Sequence, residues 1–171
     1  MKMMKRRQGG FTLMEIMMVL VIGAVITIGG ITWYQSSQAR QQATDAIRDL
    51  NTLVTVIRST YNGQGDYNGL TNATVTRASS FPQPMRVPGN AALIKSPWLD
   101  DGVDLAAATQ DTADDSMSIT YKALSDGACV DFVTQVYTYF DEVNVDGTTV
   151  ANVADVAANC GDGVDVEFIG R

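Results

Sequence analysis

Two hydrophobic patterns follow one another in the N-terminal part of the chain. Residues 16–39 contain no charged side chain, and residues 16–31 are almost wholly apolar. From residue 39 onward, apolar positions recur at steps of three and four, the spacing of one face of an amphipathic helix. The members of this stripe are Ala39, Ala43, Ala46, Leu50, Leu53, Ile57 and Tyr61. No proline interrupts residues 11–62 and a Gly-Gln-Gly stop follows, so the pattern predicts one helix of about 52 residues.

The two halves of this predicted helix need different surroundings. Residues 11–34 are apolar on nearly every side and, at about 1.5 Å per residue, are long enough to cross a bilayer core of about 30 Å. Trp33 and Tyr34 close this run, where interfacial aromatic residues are common. Residues 35–62 are apolar on one face, which we expect to pack on a globular domain. A coiled-coil dimer is the competing interpretation of this second half.

The remainder, residues 63–171, has the patterns of a small globular head. Residues 63–100 contain all four prolines and several turn signals, which predicts an irregular connection with short helical pieces near 91–94. Alternating apolar positions predict one strand at residues 116–124 and another around Val164, Val166 and Phe168.

A helix and a hairpin are predicted between these two strands. Apolar residues from Cys129 to Phe140 have helical spacing and begin after Ser125 and Asp126. The dipeptide Asp146-Gly147 predicts the turn of a hairpin over residues 142–150.

A short motif joins a basic leader to the apolar run. The leader, residues 1–10, holds four of the twelve basic side chains and no acidic one, which predicts that it stays in the cytoplasm while the body is exported. The motif reads Gly9-Gly10-Phe11-Thr12-Leu13-Met14-Glu15. A lone carboxylate at the edge of an apolar segment is costly without a cationic partner. Cleavage after Gly10 would create one, the new α-amino group of Phe11.

This motif and the apolar helix behind it resemble the N-terminus of type IV prepilins. The resemblance is specific over residues 5–62 and extends to the rest of the chain by architecture. It implies cleavage after Gly10, N-methylation of Phe11, and a Glu15 that receives the N-terminal amine of a neighbouring subunit during filament assembly. The implied fold is α+β, with a long N-terminal helical spine packed on a small antiparallel β-sheet head with one disulfide.

The resemblance also implies a function and a location. The chain would be a structural subunit of a type IV pilus, held in the inner membrane as a single-pass precursor and then displayed in an extracellular filament on the bacterial surface. The implied partners are further copies of the chain, a prepilin peptidase and methyltransferase, and a pilus assembly platform. Its parts would be a cleaved leader (1–10), a membrane and filament-core helix (11–34), the amphipathic half of that helix (35–62) and the head (63–171).

Three alternatives remain open at this point. A minor pilin or a type II secretion pseudopilin would share the same N-terminus. A membrane-anchored adhesin would not polymerise and would not be cut after Gly10. An ordinary signal peptide cut near Ala39 is disfavoured, because the uncharged run is longer than a normal signal core.

Subclass markers of the pilins are mixed in this chain. The tract from Thr60 to Tyr67 is similar to the join between the helix and the sheet in type IVb pilins. The segment Ser96-Pro97-Trp98 is similar to the short segment that enters the sheet in many pilins. The short leader and Phe11 are more typical of type IVa.

The chain has two cysteines, Cys129 and Cys160. In an exported domain they most simply form one disulfide, and two buried free thiols are the alternative. A disulfide here would close a loop of about thirty residues and stabilise the fold by about 3–4 kcal/mol.

Charge and residue content exclude several functions. From Asp100 onward there are fifteen acidic side chains and two basic ones, a surface that repels phosphate, so we expect no nucleic-acid partner. The chain has no histidine and none of the common catalytic or phosphate-binding motifs, so we expect neither an enzyme nor a cofactor. Glu142, Asn144 and Asp146 fit part of a calcium loop, but the twelfth position is Val153. A solvated acidic surface is therefore favoured over a metal site.

Overall fold

The computed structural model describes the backbone of residues 12–171, and the side chains in that range except those of residues 30–33, 35 and 36. Within this range the chain forms four α-helices and one five-stranded antiparallel sheet, which confirms the predicted α+β class. The helices are α1 (Leu13–Tyr61), α2 (Asn72–Thr76), α3 (Asp126–Val136) and α4 (Val153–Asn159). The strands are β1 (Val103–Ala108), β2 (Ser116–Leu124), β3 (Glu142–Val145), β4 (Thr148–Thr149) and β5 (Val164–Gly170).

The chain divides into two compact units, Met1–Ser37 and Gln38–Arg171. Helix α1 has 49 residues and belongs to both, which confirms the predicted long helix. It ends at Tyr61, one residue before the predicted end. There the Gln64 N–H donates to the Tyr61 carbonyl at 2.9 Å, and Gly65 takes a φ of 80° that few other residues adopt.

In the first unit, the described part of α1 exposes its apolar side chains. Their exposed fractions run from 47% for Ile16 to 82% for Met14. No helix among the described residues is long and apolar enough to cross a membrane. The predicted membrane segment, residues 11–34, includes residue 11 and the side chains of residues 30–33, which lie outside the described part.

In the second unit, the apolar stripe of α1 belongs to the buried core. Its members from Ala43 to Tyr61 are buried, and Ala39 at its start is half-buried. The same core holds Tyr121 of β2, whose hydroxyl donates to the Ala46 carbonyl at 3.5 Å. Phe132 of α3 lies edge-on to Tyr121 with ring centroids 5.1 Å apart. The sheet therefore has α1 and α3 against its apolar face, and the predicted stripe is confirmed.

The sheet has the strand order β1-β2-β5-β3-β4, with every pair antiparallel. The last strand, β5, lies between β2 and β3, and its Phe168 pairs with Ile119 of β2 and Val143 of β3. Strand β2 and the hairpin β3–β4 lie where they were predicted. Asp146 and Gly147 have φ values of 49° and 75°, the positive values that a two-residue type I′ turn requires.

The helical pieces of the connection were predicted in the wrong place. Residues 91–94 form a turn and an isolated bridge, while the helical pieces are α2 and the 3₁₀ turn Gln83–Met85. Tertiary contacts explain the position of α2. The Asn72 side chain donates to the Val103 carbonyl at 2.9 Å and accepts from the Leu105 N–H at 2.8 Å, so it occupies the free edge of β1.

Helix α3 is shorter than its apolar stripe predicted. It ends at Val136, and the chain tightens into the 3₁₀ turn Tyr137–Tyr139. Phe140, the last predicted member of the stripe, packs on Phe168 of the sheet with ring centroids 5.1 Å apart. Its spacing was therefore a property of the core and not of the helix.

Candidate functional site

Glu15 lies in the first turn of α1, and Thr12 caps that turn. The Thr12 carbonyl accepts from the N–H groups of Glu15 and Ile16 at 3.1 and 3.2 Å, and its Oγ1 accepts from the Glu15 N–H at 3.3 Å. Thr12 and Glu15 have the three-residue spacing of a capping box. This role of Thr12 was not predicted, although a T-x-x-E sequence before an apolar run is its signal.

The Glu15 side chain is exposed and has apolar neighbours on its own helix. Leu13 and Met14 expose 80% and 82% of their surface, and Ile16 exposes 47%. A negative charge in the first turn is favoured by the helix dipole. Gly10 and Phe11, the predicted cleavage site, lie outside the described residues. The pairing of Glu15 with a neighbour's α-amino group therefore stays a prediction.

Behind Glu15, α1 offers a continuous apolar surface. Every described large hydrophobic side chain between Met17 and Ile28 is exposed. A side chain added at Gly23 would meet nothing within 4 Å, so this position leaves room for another helix to approach. The Thr27 hydroxyl donates to the Gly23 carbonyl at 2.8 Å and is satisfied within the helix. Exposed apolar surface of this extent marks an interaction with other proteins or with a membrane.

The predicted disulfide is present. Cys129 and Cys160 are bonded, with Cα atoms 5.7 Å apart and a sequence separation of 31. Cys129 lies in α3 and is fully buried, while Cys160 follows α4 and is half-buried. The bond joins α3 to the segment that leads into β5, and it encloses β3, β4 and α4.

The partial calcium motif forms hydrogen bonds within the hairpin. The Thr149 hydroxyl donates to Glu142 at 3.2 Å and to Asn144 at 2.8 Å. The Asn144 amide in turn donates to Glu167 at 3.2 Å. Across the part of the chain that the structure describes, no group of three or more His, Cys, Asp or Glu side chains is placed to hold a metal ion.

Asp115 stabilises the loop between β1 and β2 through hydrogen bonds to the backbone of that loop. Its carboxylate accepts from the N–H groups of Gln110, Asp111 and Thr112 at 2.9, 3.0 and 3.1 Å. These bonds, that from Gln110 first among them, hold the pKa of Asp115 well below its usual range. The Arg171 guanidinium also pairs with Asp111 and Asp115. The arrangement is structural, because it shapes a loop.

Asp49 of α1 is half-buried, as is Asp45 one turn before it. Burial raises the pKa of Asp49, the neighbouring Arg48 lowers it and Asp45 raises it further. Asp49 lines a shallow cleft with Lys95 and Pro97 of the connection. A half-buried carboxylate whose pKa is raised lowers the stability of the folded state at neutral pH.

Two family models match the chain. Residues 40–169 match the family described as PilS N terminal. Residues 5–31 match the prokaryotic N-terminal methylation motif, a range that includes Gly10, Phe11 and Glu15.

Two proteins similar in sequence are pilus subunits of Vibrio cholerae and Escherichia coli. The toxin coregulated pilin of Vibrio cholerae is 28% identical over 89% of this chain and 68% of its own length. The major structural subunit of bundle-forming pilus of Escherichia coli is 28% identical over 77% of this chain and 67% of its own length.

The fold is similar to that of two crystal structures. TcpA, a type IV pilin from Vibrio cholerae El Tor biotype, has a TM-score of 0.54 at 18% identity, over 77% of this chain and 99% of that one. A type IV b pilin from Salmonella typhi has a TM-score of 0.57 at 16% identity, over 72% of this chain and 95% of that one. At these identities the structural likeness concerns the fold alone.

Proposed function

The chain belongs to the type IV pilins, in the family described as PilS N terminal, and we propose that it is the structural subunit of a type IVb-like pilus. The proposal adds three steps to membership of the family. The precursor is processed at Gly10, the mature chain begins with a methylated Phe11, and copies of it polymerise through α1 into a filament on the cell surface.

Processing at Gly10 is supported by the match to the N-terminal methylation motif. That match covers residues 5–10 of the leader, with the glycine pair, and Glu15. The enzyme that acts here is a prepilin peptidase that also methylates the new N-terminus. Before the cut, the apolar segment of α1 holds the precursor in the inner membrane as a single pass, with the leader in the cytoplasm.

Polymerisation rests on one observation, the exposed apolar surface of α1 with a carboxylate in its first turn. From Leu13 to Ile28 the described large apolar side chains are exposed, and Glu15 lies among them. Such a surface needs lipid before assembly and other helices afterwards. In the filament, the Glu15 carboxylate of one copy meets the α-amino group of Phe11 of another, in a setting where either charge alone is costly.

The remaining partners follow from this mechanism. The filament is a homo-oligomer, an assembly platform in the inner membrane extracts each subunit, and the assembled pilus is extracellular. The relatives are named as pilins and pilus subunits, and we assign the chain a structural role without enzymatic activity.

Mass spectrometry of the mature N-terminus tests the proposal directly. Filaments sheared from cells should contain this chain beginning at Phe11 with an added methyl group on its amine. A chain that still begins at Met1, or that begins beyond Ala39, would contradict the proposal. Abundance of the chain in the sheared fraction would distinguish a major subunit from a minor pilin or pseudopilin.

A further inference from the structure

In the second unit, the basic side chains that form no salt bridge lie before residue 87, whereas most of the acidic side chains lie after residue 99. Residues 38–171 contain eight basic and eighteen acidic side chains. The salt bridges described in this unit involve Lys95, Lys122 and Arg171. Within that same part, five arginines form no salt bridge: the exposed Arg40, Arg48, Arg58 and Arg77 and the half-buried Arg86.

Arg48 lies in a groove on the outer face of α1. The groove is lined by Arg48, Asn51, Thr52, Thr55, Val56 and Ser59 of the helix, and by Ser80 of the connection. The hydroxyls of Thr52 and Thr55 both donate to carbonyls of their own helix at 2.8 Å. Arg48 is the charged member of this lining. It also lines the adjoining cleft with Asp45 and Asp49, so these two carboxylates offset part of the positive charge of the groove.

Three exposed aspartates from α3 and from around the start of β5 form an acidic corner. The corner consists of Asp126, Asp162 and Asp165. The Asp162 carboxylate accepts from the Asp126 N–H at 3.0 Å, and the Asp165 carboxylate accepts from the Ala123 N–H at 3.0 Å. None of the three takes part in a described salt bridge, whereas Asp100, Asp101, Asp104, Asp111 and Asp115 are paired with Lys95, Lys122 or Arg171.

We propose that the groove around Arg48 binds the acidic corner of a second copy of this chain within the filament. The proposal rests on the proposed function and names a contact between heads that α1 and Glu15 do not provide. A helical filament is built from heterologous contacts, in which one surface of each subunit binds a different surface of the next. Heads with such an excess of acid repel one another unless an acidic surface meets a cation. The guanidinium of Arg48 supplies one, with a planar fork that suits carboxylates.

The disulfide acquires a second role in this arrangement. Cys129 lies one turn after Asp126 in α3, and Cys160 comes two residues before Asp162. The bond between them therefore holds together the two segments that form the corner. Its loss would disturb the contact between subunits as well as the stability of each subunit.

A charge exchange in the full-length chain, expressed in piliated cells, tests the contact. We expect Arg48→Glu and Asp126→Lys each to lower the protein in sheared filaments by about tenfold or more, since like charges across an interface are strongly unfavourable. Asp126 is chosen because Asp162 and Asp165 accept backbone hydrogen bonds that hold the corner. The variant with both substitutions should recover filaments to within about threefold of wild type, because it restores opposite charges.

Two controls have the same change in charge outside the contact. Arg77→Glu and Asp141→Lys should assemble as wild type does. The total amount of each variant in the cell and the formation of its disulfide report whether it folds. If Arg48→Glu lowers that total amount, Arg48→Ala replaces it in the test, with a smaller expected loss of filaments. The proposed contact would be refuted if a folded single variant made filaments in the wild-type amount. It would also be refuted if the folded double variant did not recover filaments. A wild-type chain that makes no filaments would overturn the proposed function instead.

Discussion

Replacing Glu15 by glutamine separates two roles that its carboxylate can have. As the partner of Thr12 in a capping box, glutamine is as suitable as glutamate. Glutamine is not a suitable partner for a neighbour's α-amino group, because its neutral amide leaves the charge of the ammonium uncompensated. Thr12→Ala is the matched control, since it removes the capping hydroxyl that accepts from the Glu15 N–H at 3.3 Å and keeps the charge.

The two roles of Glu15 differ in the free energy that is lost when its partner or its charge is removed. Removing one member of a buried ion pair costs about 3–5 kcal/mol, which corresponds to a change of about two to four orders of magnitude in an equilibrium constant. Loss of a capping side chain costs about 0.5–2 kcal/mol. Glu15 is exposed in the single subunit, so the larger cost arises only when a neighbouring subunit buries it. Glu15→Gln should therefore affect assembly far more than it affects the subunit.

The assay compares the amount of the chain in sheared filaments with its total amount in the cell. For Glu15→Gln we expect a loss of filaments of about a hundredfold or more, with cleavage after Gly10 unchanged by mass spectrometry. For Thr12→Ala the loss should not exceed about thirtyfold. Filaments of Glu15→Gln at the wild-type amount, or equal losses in the two variants, would refute the charge pairing.

Three further predictions concern the stability of the full-length chain in detergent, followed by thermal unfolding. Replacing Cys129 and Cys160 by serine should lower the free energy of unfolding by about 3–4 kcal/mol, and a Tm of the wild type that does not respond to reductant would contradict this. Asp115→Asn should lower Tm at neutral pH. Because the pKa of Asp115 is lowered by folding, its stabilisation is complete above the unfolded pKa of about 3.9 and is lost as pH falls towards the folded value; an unchanged difference from wild type in strong acid would argue against it. Asp49→Asn should raise Tm at neutral pH, because burial raises the pKa of Asp49. The gain in Tm should disappear below about pH 3.9, where the Asp49 carboxyl is neutral in the folded and the unfolded state. A decrease in Tm at neutral pH would contradict this, because it would show that Asp49 has a partner that stabilises its charge.

Features with a local cause were predictable from the sequence. The buried stripe of α1 follows from apolar spacing, because a helix repeats every 3.6 residues whatever it packs against. The β3–β4 hairpin follows from Asp146-Gly147, because few other pairs accept two positive φ values. Glu15 and the two cysteines stood out by their positions in the sequence, and the bond between Cys129 and Cys160 is present.

Features with a distant cause were not predictable. Strand β1 contains three alanines and one aspartate, a weak strand signal, and its edge is completed by Asn72 from α2. Helix α4 is short, and it begins where the Asn152 side chain accepts from the N–H groups of Ala154 and Asp155. The acidic corner joins Asp126 to a residue 36 positions later in the chain, where the pairing of β5 with β2 and the disulfide bring the two segments together.

The apolar surface of α1 and the charge of Glu15 contribute differently to assembly. Moving an apolar helix from lipid into a bundle exchanges one apolar contact for another, so it gives little net drive and only a weak preference for any axial offset. A charged group changes this, because at most offsets it would be buried alone, at a cost of several kcal/mol. In the proposed pairing, one offset places the carboxylate of Glu15 beside the α-amino group of another subunit. In the proposed filament, apolar contact permits the subunits to pack, and we expect the position of Glu15 in the first turn to determine the register at which they do.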